Sequence, residues 1–259
     1  MGLTNLRNAL MAGERTPTAK DYVQDGLVAM WDGIENAGWG VHDPNATVWK
    51  DLVGNLDLTC PSSSDGLFEG NCWRQISSST TEFKMPTSGL CRFLEGYRYI
   101  TLEAVMSDIS TKYGPHAVNS EGGSGSAGTS SGISLYCYKP DQITRCGRTS
   151  VGNGTAWGYS VYYGDIPDNT PFHLAISIDN TNKTYIQYLD GVKYGDTWVS
   201  GGANFSLGYS MDTRVRLFTS SAGNVDCVKG FYVRAYSRAL TADEIARNYA
   251  IDKARFHLP

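Results

Sequence analysis

Short stretches of alternating apolar and polar residues recur along most of this 259-residue chain, separated by Gly, Pro, Asn, Asp or Ser. The stretches are rich in β-branched and aromatic residues, a composition typical of strands. The clearest are GLVAMW, TVWKDL, LDLTC, RYITLEAVM, GISLYCY, AWGYSVYY, HLAISID, KTYIQYLDGV, RVRLFTS and GFYVRAYS. Because no long helical pattern separates them, they predict an all-β antiparallel sandwich or barrel and not a parallel α/β sheet.

The clearest hairpin lies in HLAISIDNTNKTYIQYLDGVKYGD, residues 173–196. Leu174, Ile176 and Ile178 alternate with smaller or polar residues, so we expect these three side chains to face the core. The Asp-Asn-Thr-Asn cluster that follows favours a turn, and the later Asp-Gly pair favours a second, tight turn. The segment therefore predicts three linked strands.

A short N-terminal arm is predicted to precede the strands. Residues 3–12 place Leu and Met on one side of a helix that Gly13 would end. The polar, Pro-containing residues that follow predict an extended linker, so we divide the chain into an arm, 1–21, and a sandwich, 22–259. A helix this short is marginal alone, so it is expected to dock on its own domain or to mediate self-association.

The C-terminal segment predicts a strand followed directly by a helix. Thr241 and Glu244 have the spacing of a capping box, and Leu240 and Ile245 that of a hydrophobic staple. Ile245 and Tyr249 give the helix an apolar stripe. We expect the helix to close the sheet, with water-facing side chains at Asp243, Arg247 and Lys253. The preceding strand alternates as if half-buried, with Phe231, Val233 and Ala235 on one face and Tyr232, Arg234 and Tyr236 on the other.

Five motifs occur in a characteristic order: GLVAMWDGIENAG, VWKDLVGN, RYITLEAVM, HLAISIDNTNKTYIQYLDGV and VRAYSRALTADEIARNY. Together they resemble the laminin G-like branch of the concanavalin A-like lectin/glucanase superfamily, in its bacterial and phage form, over about residues 22–256. The resemblance implies a jelly-roll β-sandwich of two antiparallel sheets. It also implies a carbohydrate-binding or surface-binding accessory module, although such folds host many functions.

Composition and charge narrow the possible partners. The net charge of −4 and the lack of Lys/Arg runs disfavour nucleic-acid binding. No stretch approaches the ~20 apolar residues that cross a bilayer, so no membrane partner is expected. The N-terminus lacks an export signal, which favours synthesis in the cytoplasm. The six cysteines contain no C-x-x-C spacing and are expected to be reduced and mostly buried, with disulfides as the alternative.

The sequence contains none of the motifs typical of hydrolases. Glucanases of this superfamily carry E-x-D-x-x-E on one strand, whereas Glu103, within ITLEAVM, has Val105 two residues later. The four histidines show no metal-hydrolase spacing, His173 is expected to be structural, and no G-x-S-x-G is present. We therefore expect no enzymatic activity. The alternative is a carbohydrate-active enzyme with an unrecognised site.

Loop aromatics are the candidate ligand contacts, because flat rings stack on pyranose rings. Trp31 and Trp49 lie within strands and are expected in the core, and Trp73 is undecided. For Trp39 and His42, the alternative is packing under their loop. The candidate ligand-binding residues are Trp39, His42, Trp157, Tyr162, Tyr163 and Asp165.

Calcium is a possible cofactor, since the resemblance implies a site that uses an acidic residue after the first strand. Asp32 matches that position, with Asp51 as a second candidate ligand. The usual acidic residue at the start of the last strand is replaced by Lys229, which puts the site in doubt. The alternative is that Asp32 caps a turn.

These observations favour a non-enzymatic glycan-binding or structural module. Because the chain shows no export signal, release within a phage or prophage particle would bring such a module outside the cell. We therefore expect a virion component, such as a tail or capsid appendage, with a cell-surface glycan and other virion proteins as partners. A purely architectural role is a third hypothesis.

Overall fold

The structure is a computed structural model of the whole chain. The residues that it describes are 15–76, 83–84, 99–107, 115–119, 131–138, 146–153, 157–162, 166–167, 169–182, 184–194, 214–220 and 228–258. Every strand pair within these ranges is antiparallel, so the predicted all-β architecture of two antiparallel sheets with a C-terminal helix is confirmed. The predicted helix at 3–12 lies outside the described residues.

The first sheet runs in the order β14-β13-β12-β7-β16-β5-β4, and β1 also pairs with β16. Its strands are β1 (Leu27–Asp32), β4 (Gly66–Glu69), β5 (Cys72–Gln75), β7 (Tyr99–Ser107), β12 (Phe172–Asp179), β13 (Thr184–Leu189), β14 (Val192–Lys193) and β16 (Lys229–Tyr236). The predicted hairpin is confirmed as β12, β13 and β14, and Asp190 and Gly191 form the tight turn with positive φ.

The second sheet has the order β11-β10-β9-β8-β15-β6-β3-β2. Its strands are β2 (Val48–Trp49), β3 (Leu58–Thr59), β6 (Phe83–Lys84), β8 (Pro115–Asn119), β9 (Ser131–Tyr138), β10 (Cys146–Asn153), β11 (Trp157–Tyr162) and β15 (Arg214–Ser220). The two sheets enclose the main hydrophobic core, to which Leu174, Ile176 and Ile178 point as predicted. Trp31, Trp49 and Trp73 are all buried in this core, which settles the position of Trp73.

The outer face of the first sheet is covered and not exposed to water. Helix α1 (Ala242–Phe256) and residues 19–23 pack against it through a second apolar cluster that contains Tyr22, Leu240 and Ile245. The half-buried prediction for β16 was therefore wrong, since Arg234 and Tyr236 are fully buried. Alternation distinguishes the two faces of a strand, but it does not show whether water or another part of the chain covers the second face.

The start of α1 matches the sequence prediction. The Thr241 hydroxyl accepts a hydrogen bond from the Glu244 amide at 3.3 Å, and the Glu244 carboxylate accepts one from the Thr241 amide at 2.9 Å. Leu240 and Ile245 are both buried beside this turn. The helix thus begins at a complete capping box with its staple. Asp243 and Lys253 face water as expected, whereas Arg247 is only partly exposed.

A charged group lies at the centre of the interface between sheet and helix. The Arg234 guanidinium donates to Glu103 of β7 through Nε at 3.0 Å and to Asp252 of α1 through Nη1 at 2.9 Å. The ring centres of Tyr22 and Tyr232 lie 3.8 and 3.9 Å from its central carbon, so both rings make cation–π contacts with it. Burial opposes ionisation of Glu103, but Arg234 outweighs it and lowers the pKa of this carboxyl group.

Asn248 extends this cluster to the N-terminal segment. Its amide nitrogen donates to Glu103 at 2.8 Å and to the Tyr236 hydroxyl at 3.0 Å, and its oxygen accepts from the Val23 amide at 3.0 Å. Part of the segment predicted to be a linker therefore packs on α1. The boundary between an arm and a sandwich stays a prediction.

In the described ranges, Cys60 and Cys72 are free thiols, and Cys72 is buried. Cys137 is also buried. Burial raises the pKa of Cys60 to about 12 and that of Cys72 to about 11, so both resist ionisation. Within the same part of the chain, no helix combines the length and apolar character needed to span a membrane.

Replacing Arg234 tests the buried charge cluster. We expect Arg234→Met to lower the free energy of unfolding by about 3–5 kcal/mol, because Glu103 and Asp252 would stay buried without their cation. Lys50→Met is the control, since Lys50 pairs with Asp57 at the surface and should contribute about 0–1 kcal/mol. Urea unfolding measures both. A loss below about 1 kcal/mol for Arg234→Met would contradict this account.

Glu244 should give α1 a measurable pH dependence. Hydrogen bonds from Arg238 lower its pKa from 4.5 to about 2. Because the folded pKa is the lower one, its contribution is complete above about pH 4.5 and is lost as the pH falls towards 2. We expect Glu244→Gln to cost about 1 kcal/mol at pH 7, a small value because the side chain is partly exposed and water screens its ion pair. Urea unfolding at both pH values should show the gap closing at pH 2; a constant gap would exclude the charge as its cause.

Candidate functional site

The candidate residues divide into two groups. Trp39 and His42 lie together in the loop of residues 36–43, which we call the Trp39 loop and which follows β1. Trp157 and Tyr162 belong to β11, at the edge of the second sheet, where only the backbone is described. Tyr163 and Asp165 lie outside the described residues. A contribution of this second group to ligand binding stays a prediction.

The Trp39 loop presents apolar side chains to solvent. Its tip is a tight turn in which the Val41 amide donates to the Gly38 carbonyl at 2.9 Å. Gly40 has a φ of 71°, a conformation that glycine adopts without strain, so the turn can project Trp39 outward. Trp39 is 40% exposed and Val41 51% exposed, and His42 is exposed beside them. The predicted alternative, burial of Trp39 under its loop, does not hold.

Glu35 holds the loop in place from below. One carboxylate oxygen accepts a hydrogen bond from the Gly40 amide at 2.8 Å. The other accepts from the Ala19 amide at 3.2 Å and from Arg255 of α1 at 3.0 Å. Glu35 is only 7% exposed, so these bonds are shielded from water. One side chain thus links the loop, the N-terminal segment and the helix.

A second pair of hydrogen bonds closes the base of the loop. The Asn36 side chain donates to the Asp43 carbonyl at 2.7 Å and accepts from the Asp43 amide at 2.8 Å. The backbone amide of Lys50 donates to the Asn36 carbonyl at 2.9 Å. With both ends fixed, the loop holds Trp39 in a defined orientation.

Lys20 contributes a positive charge next to the exposed ring. Its Nζ lies 5.2 Å from the centre of the Trp39 ring, within the range of a cation–π contact. The sequence analysis missed both Lys20 and Glu35. No local motif marks Lys20, because it lies nineteen positions from Trp39 and reaches the loop only through the folding of the N-terminal segment.

The two candidate metal ligands are engaged by other groups. Asp32 accepts from Arg255 at 2.5 Å and from the backbone amides of Ile34 and Glu35, so it does cap a turn. Asp51 accepts from three backbone amides at 3.0–3.1 Å. In the described ranges, no group of three or more His, Cys, Asp or Glu side chains could hold a metal. Calcium would have to displace Arg255 from Asp32, and its binding stays a prediction.

The residues considered for catalysis are placed inside the molecule. Glu103 and His173 are fully buried on the outer face of the first sheet, with Glu103 Oε1 3.5 Å from His173 Nε2. The Tyr249 ring of α1 lies 5.7 Å from the His173 ring. These side chains lie beneath α1, out of reach of a polysaccharide. They belong to the helix–sheet interface.

No family model and no curated protein matches the sequence significantly. Among solved structures, Trypanosoma rangeli sialidase matches with a TM-score of 0.58 and 15% identity, over 93% of this chain and 34% of that chain. A mutant of this sialidase displaying trans-sialidase activity gives 0.60 and 18%, over 95% and 36%. The botulinum neurotoxin serotype D binding domain gives 0.61 and 12%, over 87% and 51%.

This chain therefore spans about a third of the sialidase and half of the toxin domain. At such identities the similarity shows the fold alone, which is a β-sandwich of antiparallel sheets. Function has to be inferred from the site itself.

Removing the Glu35 carboxylate should loosen the Trp39 loop. In Glu35→Ala, the amides of Gly40 and Ala19 lose a charge-assisted acceptor, and such bonds contribute about 1.5–3 kcal/mol. We expect their hydrogen–deuterium exchange, followed by NMR, to accelerate at least about tenfold. Glu69→Ala is the control, because Glu69 forms an exposed pair with Arg74 far along the chain. Unchanged exchange in a folded Glu35→Ala protein would contradict the anchoring role.

Proposed function

We propose that this chain is a non-enzymatic carbohydrate-binding module of the laminin G-like type and that the Trp39 loop contacts the sugar. The observation that carries the proposal is the exposure of Trp39 on a fixed loop. Trp31, Trp49 and Trp73 are at most 1% exposed, so the fold readily buries indole rings. Trp39 and Val41 together form an exposed apolar patch on one loop, and such patches mark ligand-binding sites more often than single exposed apolar residues do.

The chemistry of the loop suits a pyranose ring. The indole provides a flat face for stacking, Val41 extends the apolar contact, and His42 and Lys20 offer polar groups for hydroxyls. Because Glu35 and Asn36 fix the loop, little conformational freedom is lost on binding. Proteins of this fold include a sialidase solved in complex with sialic acid and a toxin receptor-binding domain, so glycan recognition is a role compatible with the architecture.

We further propose that the module belongs to a phage or prophage particle and recognises a glycan on the host surface. The support is the resemblance of the motifs, above all the closing segment YSRALTADEI, to bacterial and phage laminin G-like modules. A purely architectural role in the particle is the main competing hypothesis. The two differ in one measurable property, since only the first requires the Trp39 loop to bind sugar.

A glycan array, followed by calorimetry on the best ligand, tests the proposal. We expect Trp39→Ala to weaken binding at least about tenfold, or about 1.4 kcal/mol, because the stacking surface is lost. Tyr99→Ala is the matched control, since Tyr99 is also a surface aromatic and is 39% exposed. Binding that survives Trp39→Ala, or an array with no bound glycan, would refute the proposal. Release of reducing sugar from mixed polysaccharides would favour the enzymatic alternative.

A further inference from the structure

A groove lies between the N-terminal segment and the first two turns of α1. Its volume is about 390 Å³, within the range of about 300–1,000 Å³ typical of small-molecule sites. We call it the α1 groove. The polar residues that line it are Lys20, Gln24, Asp25, Arg238, Glu244 and Arg247.

Both carboxylates of the α1 groove are already paired with one arginine. Arg238 binds both carboxylate oxygens of Glu244, at 2.9 and 2.6 Å, and forms an ion pair with Asp25 at 3.0 Å. These bonds raise the pKa of Arg238 and lower that of Glu244, so both stay ionised at neutral pH. Arg238 therefore has little capacity left for a further anion.

The other two cations of the groove lack a carboxylate partner within the described part of the chain. Among the described residues, Arg247 donates through Nη2 to the Asp21 carbonyl at 2.9 Å, and its buried Nε has no hydrogen-bond acceptor. The ammonium group of Lys20 lies 5.2 Å from the centre of the Trp39 ring. Three cations thus face two carboxylates, and the surplus positive charge belongs to Lys20 and Arg247. This surplus is local, because the chain as a whole carries a net charge of −4.

Lys20 belongs both to the α1 groove and to the surroundings of Trp39. A ligand that stacks on the indole can therefore extend a charged substituent past Lys20 towards Arg247. An oxyanion with two or more oxygens matches these donors, since guanidinium groups bind carboxylates and sulfates through paired hydrogen bonds. A neutral sugar would leave both cations without a counter-ion.

We infer that the α1 groove is an anion subsite that binds the carboxylate or sulfate group of an acidic glycan. The inference rests on the proposed function for the glycan as carrier of the anion, whereas the anion site itself does not depend on Trp39. Lys20 and Arg247 are its ligand-contacting residues.

The first experiment probes the anion site without any sugar. ¹⁵N-labelled protein is titrated with sodium sulfate and, separately, with sodium acetate, against sodium chloride of equal ionic strength. We expect saturable shifts of the amides of residues 20–25 and of Arg247, and loss of at least about 80% of their amplitude in Lys20→Gln/Arg247→Gln. Lys253→Gln, which removes a charge from the same helix outside the groove, should titrate like the wild type. Shifts that do not saturate, or that persist in the double variant, would overturn the inference.

The second experiment uses matched oligosaccharides, namely uronic-acid oligomers and the same oligomers with reduced carboxyl groups. We expect the wild type to prefer the acidic form at least about tenfold. Arg247→Gln should lose most of that preference while retaining the neutral form, because Arg247 lines the groove and not the Trp39 loop. If Trp39→Ala loses glycan binding but keeps the response to sulfate, the sugar contact at Trp39 and the anion site of the α1 groove are separate. Equal affinity for both forms in the wild type would overturn the inference and leave the proposed function standing.

The substitutions must leave the fold intact for these comparisons to hold. Arg247→Lys retains the positive charge and should keep at least half of the sulfate response. If Arg247 served only to bind the Asp21 carbonyl, restoring the charge would not restore the sulfate response. If Arg247→Gln lowers the unfolding midpoint, Lys20→Gln alone carries the test, since Lys20 is exposed and should not affect folding. A wild-type response in folded Lys20→Gln would count against the groove.

Discussion

Arg234 is buried without access to water, and the covering of the first sheet follows from this single guanidinium. An uncompensated charge at such a site costs several kcal/mol, so β16 can form only where carboxylates reach it from both sides. Glu103 reaches it from the neighbouring strand β7 and Asp252 from α1. Tyr22 stacks on its face from the N-terminal segment. Three parts of the chain that are distant in sequence are thus held in one arrangement by one side chain.

This arrangement extends to the surface through a second arginine. Arg255 of α1 donates to the Tyr22 hydroxyl at 3.0 Å, to Asp32 and to Glu35. Glu35 in turn binds the amide of Gly40 beneath the exposed indole. The Trp39 loop therefore rests on a continuous network of charge-assisted hydrogen bonds and not on a mobile connection. Such support explains how a glycine-rich turn can hold a large aromatic ring in one orientation, and it would keep the entropic cost of the proposed glycan binding low.

Strands in which β-branched or aromatic residues alternate with polar ones could be predicted from the sequence. Strand β10, CGRTSVGN, could not. Its residues are mostly small or polar, and they form a strand only because they pair with β9 and β11. The hairpin of β4 and β5 did carry a signal, since Gly70 sits in its turn with a φ of 62°. The buried network was missed because alternation assigns charged residues to water. A polar stripe at helical spacing, Asn248, Asp252 and Arg255, was the available indication that α1 covers charges.

Trp39 could be identified as a candidate because a large aromatic ring among Gly and Asn predicts an exposed loop. Lys20 and Glu35 could not, because contacts that form only in the folded chain bring them next to the loop.

The positions of the acidic residues bear on the choice between sugar binding and sugar hydrolysis. A glycosidase needs two carboxylates facing one cleft, one of them with a raised pKa so that it can donate a proton. Glu103, the one glutamate of β7, has a lowered pKa and is bound to Arg234. Asp32 and Glu35 are likewise bound to Arg255. Because these three acids are committed to holding α1, none of them can serve as the proton donor of such a pair. The proposed binding function instead uses the exposed indole of Trp39 and the ammonium group of Lys20 beside it.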